Sequence, residues 1–283
     1  VTNHGPQAAV LHLIPQLFFR NTWTWDCTDE GCTTRPSMHL KDNVVQTFHE
    51  SLDEFWFACD AAQGSDDWTW LFTDNETNTV RYPGLPSESD YYKDAINDYV
   101  VLGDTRAVNP KQQGTKCGAY GLLMVPQGGT REIRLRLTHA ESPLIKERAE
   151  NQPAKFAQVA FDDSFDECFE QRITEADQFY ADRIPNSLPT ERQAIMRQAY
   201  AGLLWTKQFY HYAVSTWLDG DPNGVPTSPA RKEGRNSDWR NLFNRDVISM
   251  PDKWEYPWYA AWDLAFHMVP MASLDTHFAK EQM

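Results

Sequence analysis

Up to about residue 150 the apolar positions come in short runs. VLHLIPQLFF, VVQTFHE, EFWFACDA, WTWLFT, AYGLLMV and REIRLRLTH are rich in β-branched or aromatic residues and partly alternate with polar ones. A period of two is that of a strand with one face buried. Between the runs lie turn-forming segments, TDNETN, RYPGLPSESD and VPQGGT. This spacing predicts an antiparallel β-sandwich domain over residues 1–150. The longest irregular piece, about residues 81–116, is too long for a simple connection and reads as a functional or interdomain loop. The opening VTNHGPQAAVLHLIPQLFFRN reads as a turn and a strand from the middle of a domain, so the chain is expected to be a fragment.

From about residue 163 the period lengthens. SFDE, Ser164 to Glu167, has the form of a capping box, and Phe165, Phe169, Ile173, Ala176 and Tyr180 follow at helical spacing. Residues 151–189 therefore read as a linker helix region. A second box, Thr190 to Gln193, predicts a long helix through about Val214, with Ile195, Met196, Ala199, Tyr200, Leu203 and Leu204 on its buried face. Residues 219–236, DGDPNGVPTSPARKEGRN, form a Gly-, Pro- and Asn-rich loop. Pro257 suits a first helical position, which predicts a helix from there to Pro270, and a last helix starts at Asp275. Residues 190–283 thus read as the beginning of a helical domain.

Composition narrows the function. The chain has 283 residues, with 26 Lys plus Arg against 40 Asp plus Glu and a net charge of −14. So acidic a surface repels phosphate, which argues against nucleic acid and anionic membranes as partners. No apolar run reaches the roughly 18 residues needed to span a bilayer. The cysteines, at positions 27, 32, 59, 117 and 168, are too few and scattered for a disulfide framework. Cys27 and Cys32 leave three readings open: free thiols, a loop disulfide, or half a metal site. No second pair lies at zinc spacing, and His39 alone does not complete four ligands. No metal and no cofactor are expected, and the compartment is expected to be reducing. The 11 Trp and 11 Tyr residues imply either a large core or planar faces that stack on sugars.

The densest aromatic stretch is WEYPWYAAWDLAFH, residues 254–267, which encloses one carboxylate, Asp263. In a helix Tyr259, Asp263 and His267 share a face, with Trp258 and Trp262 on an adjoining strip. A carboxyl desolvated by indoles stays protonated closer to neutrality and can give up a proton in catalysis. The other reading is an Asp paired with a nearby Lys, Arg or His, the rings being core. His267 either holds Asp263 or is a hydrogen-bonded core histidine. Asp252 and Glu255 either accept hydrogen bonds from sugar hydroxyls or are solvated loop acids. Asp219 and Asp221 lack the ligand pattern of a calcium loop.

These segments resemble a known family. SMPDKWEYPWYAAWDLAFH, the preceding WLDGDP and GRN, and the upstream DNETNT, NDYVVLGDTRAVNP and GTKCGAY are similar to the large bacterial members of glycoside hydrolase family 63. That family includes processing α-glucosidase I and hydrolases of α-glucosides and of mannosyl- or glucosylglycerate. The most specific element is W-D-x-x-F-H, here Trp262, Asp263, Phe266 and His267. The resemblance implies an α+β multidomain fold, with an antiparallel β super-sandwich followed by the first helices of an (α/α)6 barrel. It also implies an inverting glycosidase with Asp263 as general acid. Inversion requires a second carboxylate about 6.5–9.5 Å away to activate water. The family's base is a Glu late in the barrel, expected beyond the C-terminal end of this chain. Trp254, Trp258 and Trp262 would then stack on the sugar, Glu255 would take its hydroxyls, and Arg235 and Asn236 would line the pocket. Arg235, Arg240 and Arg245 are candidates for binding a glycerate carboxylate. The expectation is an enzyme acting on a carbohydrate in the bacterial cytoplasm. The alternatives are a carbohydrate-binding fragment without catalysis and a structural protein whose aromatics are core.

Overall fold

In a computed structural model, which describes residues 1–25, 34–60, 68–82, 89–222, 224–250 and 259–282, the apolar runs of the first half pair as antiparallel strands. They are β1 (Ala9–Leu13), β2 (Gln16–Phe18), β3 (Ser37–Lys41), β4 (Val44–His49), β5 (Asp53–Cys59), β6 (Thr69–Thr73), β7 (Gln113–Gly114), β8 (Lys116–Val125) and β9 (Leu135–His139). One sheet runs β7-β3-β4-β5-β9; in the other, β1, β2 and β6 all pair with β8. The run VLHLIPQLFF is divided at Pro15, which has no N–H to give the ladder. Its carbonyl accepts from Ala119 N at 2.9 Å, so β1 and β2 follow one another along β8.

Alternation along the strands sorts side chains into layers. Met38, Val45, Phe57, Cys59, Trp70, Phe72 and Cys117 meet in one core contributed by both sheets. Their neighbours Val44, Trp56 and Ala58 point the other way, under Ile145 and the helix α2 (Pro153–Val159) with its Phe156. Strand β5 is therefore buried on both faces, which explains its unbroken apolar run. On the far side Leu71 packs against Ile96 of the helix α1 (Ala95–Leu102). The stretch expected to be irregular, residues 81–116, thus contains a helix that covers a sheet. Gly121 lets the core between the sheets close, because a Cβ there would stand 2.4 Å from the Trp68 ring.

The fold is mixed α/β with antiparallel sheets, divided into two compact units: residues 1–166 with 221–225, and residues 167–220 with 226–283. The second contains most of α3 (Asp163–Ala181), then α4 (Thr190–Trp205), β10 (Lys207–Ala213), α5 (Val214–Asp219), α6 (Pro229–Glu233), β11 (Phe243–Ser249), α7 (Ala261–Leu274) and α8 (Thr276–Glu281). Among the described residues, no helix is long and apolar enough to cross a membrane.

Several expectations are corrected here. The helix beginning at Thr190 ends at Trp205, and residues 207–213 form a strand paired with β11. KQFYHYA alternates exposed Phe209 and His211 with buried Tyr210 and Tyr212, a period of two that the helical reading passed over. Neither capping box forms as expected. Asp162 takes the role before α3, accepting from Ser164 N and Oγ, while Gln193 Nε2 donates to Leu188 O. Ile195 and Ala199, expected on the buried face of α4, are exposed. The aromatic helix starts at Ala261 and continues through Pro270 to Leu274, so the core contacts of Met271 and Leu274 outweigh the proline's lost hydrogen bond. The last helix starts one residue after Asp275, at Thr276, with the Asp275 side chain as its cap, accepting from Phe278 N at 3.0 Å.

Cys59, Cys117 and Cys168 are free thiols, whereas Cys27 and Cys32 lie outside the described residues. Burial pushes Cys59 and Cys117 up to about 12. Alkylation of the native protein at pH 8 followed by peptide mapping is expected to modify Cys168 and spare Cys59 and Cys117. Truncating Phe156, fully buried and edge-on to Trp56 at 5.5 Å, to alanine should cost about 3–5 kcal/mol in denaturant unfolding.

Candidate functional site

Helix α7 carries the acid that the sequence singles out. Leu264, Met268, Met271 and Leu274 form its buried stripe, packed with Tyr200, Leu203 and Leu204 of α4. Asp263 and His267 are half-buried along one border of that stripe. Outside it, Trp262 and Phe266 are 73% and 69% exposed, and their rings meet edge-on at 5.8 Å. Trp254, Glu255, Trp258 and Asp252 lie outside the described residues. The expected wall of indoles is thus represented, among the described residues, by Trp262 alone, and that ring faces solvent.

The other reading, an Asp paired with a nearby Lys, Arg or His, finds no such pair among the described residues either. Among the described residues, Asp263 has neither a salt bridge nor a hydrogen-bond donor to its carboxylate. His267 turns to the end of β11: its Nδ1 lies 2.8 Å from Ser249 Oγ, which lies 2.6 Å from Thr206 Oγ1 at the C-terminal cap of α4. Thr206 Oγ1 in turn donates to Leu203 O at 2.6 Å. Antiparallel pairing of Lys207 with Ser249 brings these hydroxyls together.

Around this line of groups the second unit is polar and aromatic. A cavity of about 800 Å³ is lined in part by Lys207, Asn244, Asp246, Tyr259, Phe278 and Gln282. Lys207 is engaged by Asp275 at 2.6 Å, whereas Asn244 Oδ1 and Gln282 Oε1 are buried and find no donor among the described residues. Burial raises Tyr259, with Asp246 adding to the effect, and raises Tyr210 to about 12, with Tyr212 and Tyr259 adding. Asn236, in the left-handed region at φ 69°, donates from Nδ2 to Tyr212 Oη at 2.8 Å. Arg235 is exposed, and its charge acts on the same Tyr212 against the upward pull of burial. Arg240 is bound to Asp219 at 2.7 Å.

The first unit holds a cluster that the sequence reading missed. Glu76, 4% exposed, accepts from Trp23 Nε1 at 2.7 Å and from Arg35 at 2.8 Å. Arg35 also pairs with Asp74 at 2.9 Å, and Asp74 accepts from Ser89 Oγ at 2.8 Å. A cavity of about 500 Å³ is lined by Arg35, His39, Asp74, Asn109, Gln113 and Thr115, among others. The available signal was the spacing Asp-x-Glu directly after β6, which alternates like the strand and aims both acids to one side. Among the described residues, no group of three or more metal-ligating side chains forms. Glu76→Ala would strand the Trp23 N–H and half of the Arg35 pairing. It should cost about 1–3 kcal/mol in denaturant unfolding, and Glu76→Gln, which keeps one acceptor, less.

No model of a known protein family matches the chain. It is similar to an uncharacterized protein of Saccharomyces cerevisiae, YMR196W, at 39% identity over 293 residues. The match covers 96% of this chain and 26% of the yeast protein, so the chain spans about a quarter of the length of the curated relative it matches.

Proposed function

We propose that this chain is part of an inverting glycoside hydrolase of the family 63 type, acting on α-linked glucosides or related α-glycosides with Asp263 as the general acid. One observation carries the reading: Asp263 is a half-buried carboxyl that, among the described residues, has no cation or donor beside it. A structural acid in such a position normally has a partner, because an unpaired buried charge is costly. A carboxyl that must carry a proton to a leaving group is instead left without a permanent cation. Elsewhere in the same unit, the cavity with unpartnered amide oxygens at Asn244 and Gln282, whose lining does not include Asp263, suits a ligand rich in hydroxyl donors.

On this reading the two sheets belong to a β super-sandwich, and the helices of the second unit are the first of an (α/α)6 barrel. The general base, a second carboxylate about 6.5–9.5 Å from the acid, is a Glu outside residues 1–283. Trp262, exposed beside Asp263 in the chain, would supply a stacking face for the sugar, and Arg235 and Asn236, both acting on Tyr212, would line the pocket.

The test is hydrolysis of p-nitrophenyl α-glucoside by the full-length protein. Asp263→Asn is expected to lower kcat by about 10²–10⁴-fold with an unchanged far-ultraviolet spectrum, and the first sugar released should have the inverted anomeric configuration. Activity within a few-fold of wild type in Asp263→Asn would sink the assignment. Sugar binding without release of reducing sugar by the wild type would replace it with a binding module.

A further inference from the structure

A hydroxyl group carries one proton, and that count fixes the state of His267. Thr206 Oγ1 lies 2.6 Å from Leu203 O, and towards a carbonyl it can only donate. With that proton committed, Thr206 must accept in its 2.6 Å contact with Ser249, and Ser249 must donate. Ser249 then has no proton left for His267, so the 2.8 Å contact is made by the ring donating from Nδ1. Nδ1 carries hydrogen in either charge state of the imidazole, and in the neutral ring the lone pair sits on Nε2. Ser249 is fully buried, so water does not compete for the chain of bonds. No described residue bonds Nε2, and Asp263 stands one turn earlier on the same border of α7.

We infer that Thr206 and Ser249 are positioning residues that hold His267 as the Nδ1–H form, presenting Nε2 as a hydrogen-bond acceptor on the Asp263 side of the helix. The site then offers a carboxyl and an imidazole lone pair, a pair suited to the hydroxyl groups of one bound sugar. The sugar rests on the glycosidase reading, whereas the proton relay does not. Through Nε2, His267 orients a ligand hydroxyl, with no covalent step of its own.

Two measurements separate the parts. With only histidine nitrogens labelled with ¹⁵N, long-range proton–nitrogen correlations at a pH where the ring is neutral report which nitrogen carries hydrogen. In wild type His267 should show a pyrrole-type Nδ1 and a pyridine-type Nε2. Thr206→Val removes the acceptor, frees the Ser249 hydroxyl to donate to Nδ1, and should move the proton to Nε2; Thr206→Ser should preserve the wild-type pattern. A pyridine-type Nδ1 in wild type overturns the relay outright, whether or not any variant folds. In the full-length protein acting on p-nitrophenyl α-glucoside, Ser249→Ala should raise KM about tenfold and change kcat less, whereas Thr206→Ser should stay near wild type. An unchanged KM in Ser249→Ala overturns the ligand contact. Absence of hydrolysis by wild type overturns the sugar and the general acid together, and the spectrum still decides the relay.

Discussion

Everything assembled in the second unit depends on the register of β10 against β11. The two strands are joined through residues 214–242, so their pairing is a long-range commitment that must offset the entropy of closing that loop. The register sets Lys207 opposite Ser249 and Tyr210 opposite Asp246. A slip by one residue would turn Tyr210, Tyr212 and Ile248 out of their cluster and carry the Ser249 hydroxyl away from Thr206. Burial of those side chains therefore specifies the register, and the register positions the polar groups. The site is a consequence of apolar packing.

The molecule treats its carboxylates in two ways. Glu76 is deep in the first unit and fully answered, by an indole N–H and a guanidinium, with Asp74 sharing the same cation. Such a cluster resists exchange, because removing one member leaves the others desolvated and unmatched. Asp263 is only half-buried and, among the described residues, unanswered. The first arrangement uses the acid to fix a loop. The second leaves a carboxyl without a partner among the described residues, which on the glycosidase reading makes it available to a ligand.

The sheets were legible because period-two alternation is a local signal, and each expected run corresponds to a strand or pair of strands. The exceptions have physical causes. Residues 207–213 were absorbed into the preceding helix because Leu203, Leu204 and Trp205 continue the apolar pattern. The break comes at Thr206, whose side chain folds back on Leu203 O. Pro270 was read as a stop, but buried contacts beyond it extend α7. Asp263 and His267 could be placed on one helix face from spacing alone. Their partners could not, because Ser249 and Thr206 reach His267 only through strand pairing and helix packing, which no local pattern encodes. The same holds for Arg35, which meets Asp74 and Glu76 from far away in the sequence.

Both units leave apolar surface uncovered. In the first, each sheet has packed faces, yet Val10 of β1 and Leu122 and Met124 of β8 stand exposed. In the second, Trp205 is 83% exposed, and Trp262, Phe266 and Val269 form an uncovered stripe along α7 at helical spacing. Contiguous exposed rings of this kind mark surfaces that meet something else. On the glycosidase reading part of that stripe faces further barrel helices and part faces the sugar, and Asp263 sits on the border between the stripe and the core. A residue on such a border is rigidly held by the core on one side and open to a ligand on the other. On the same reading that placement suits a proton donor, with Trp262 and Phe266 next to it on the helix.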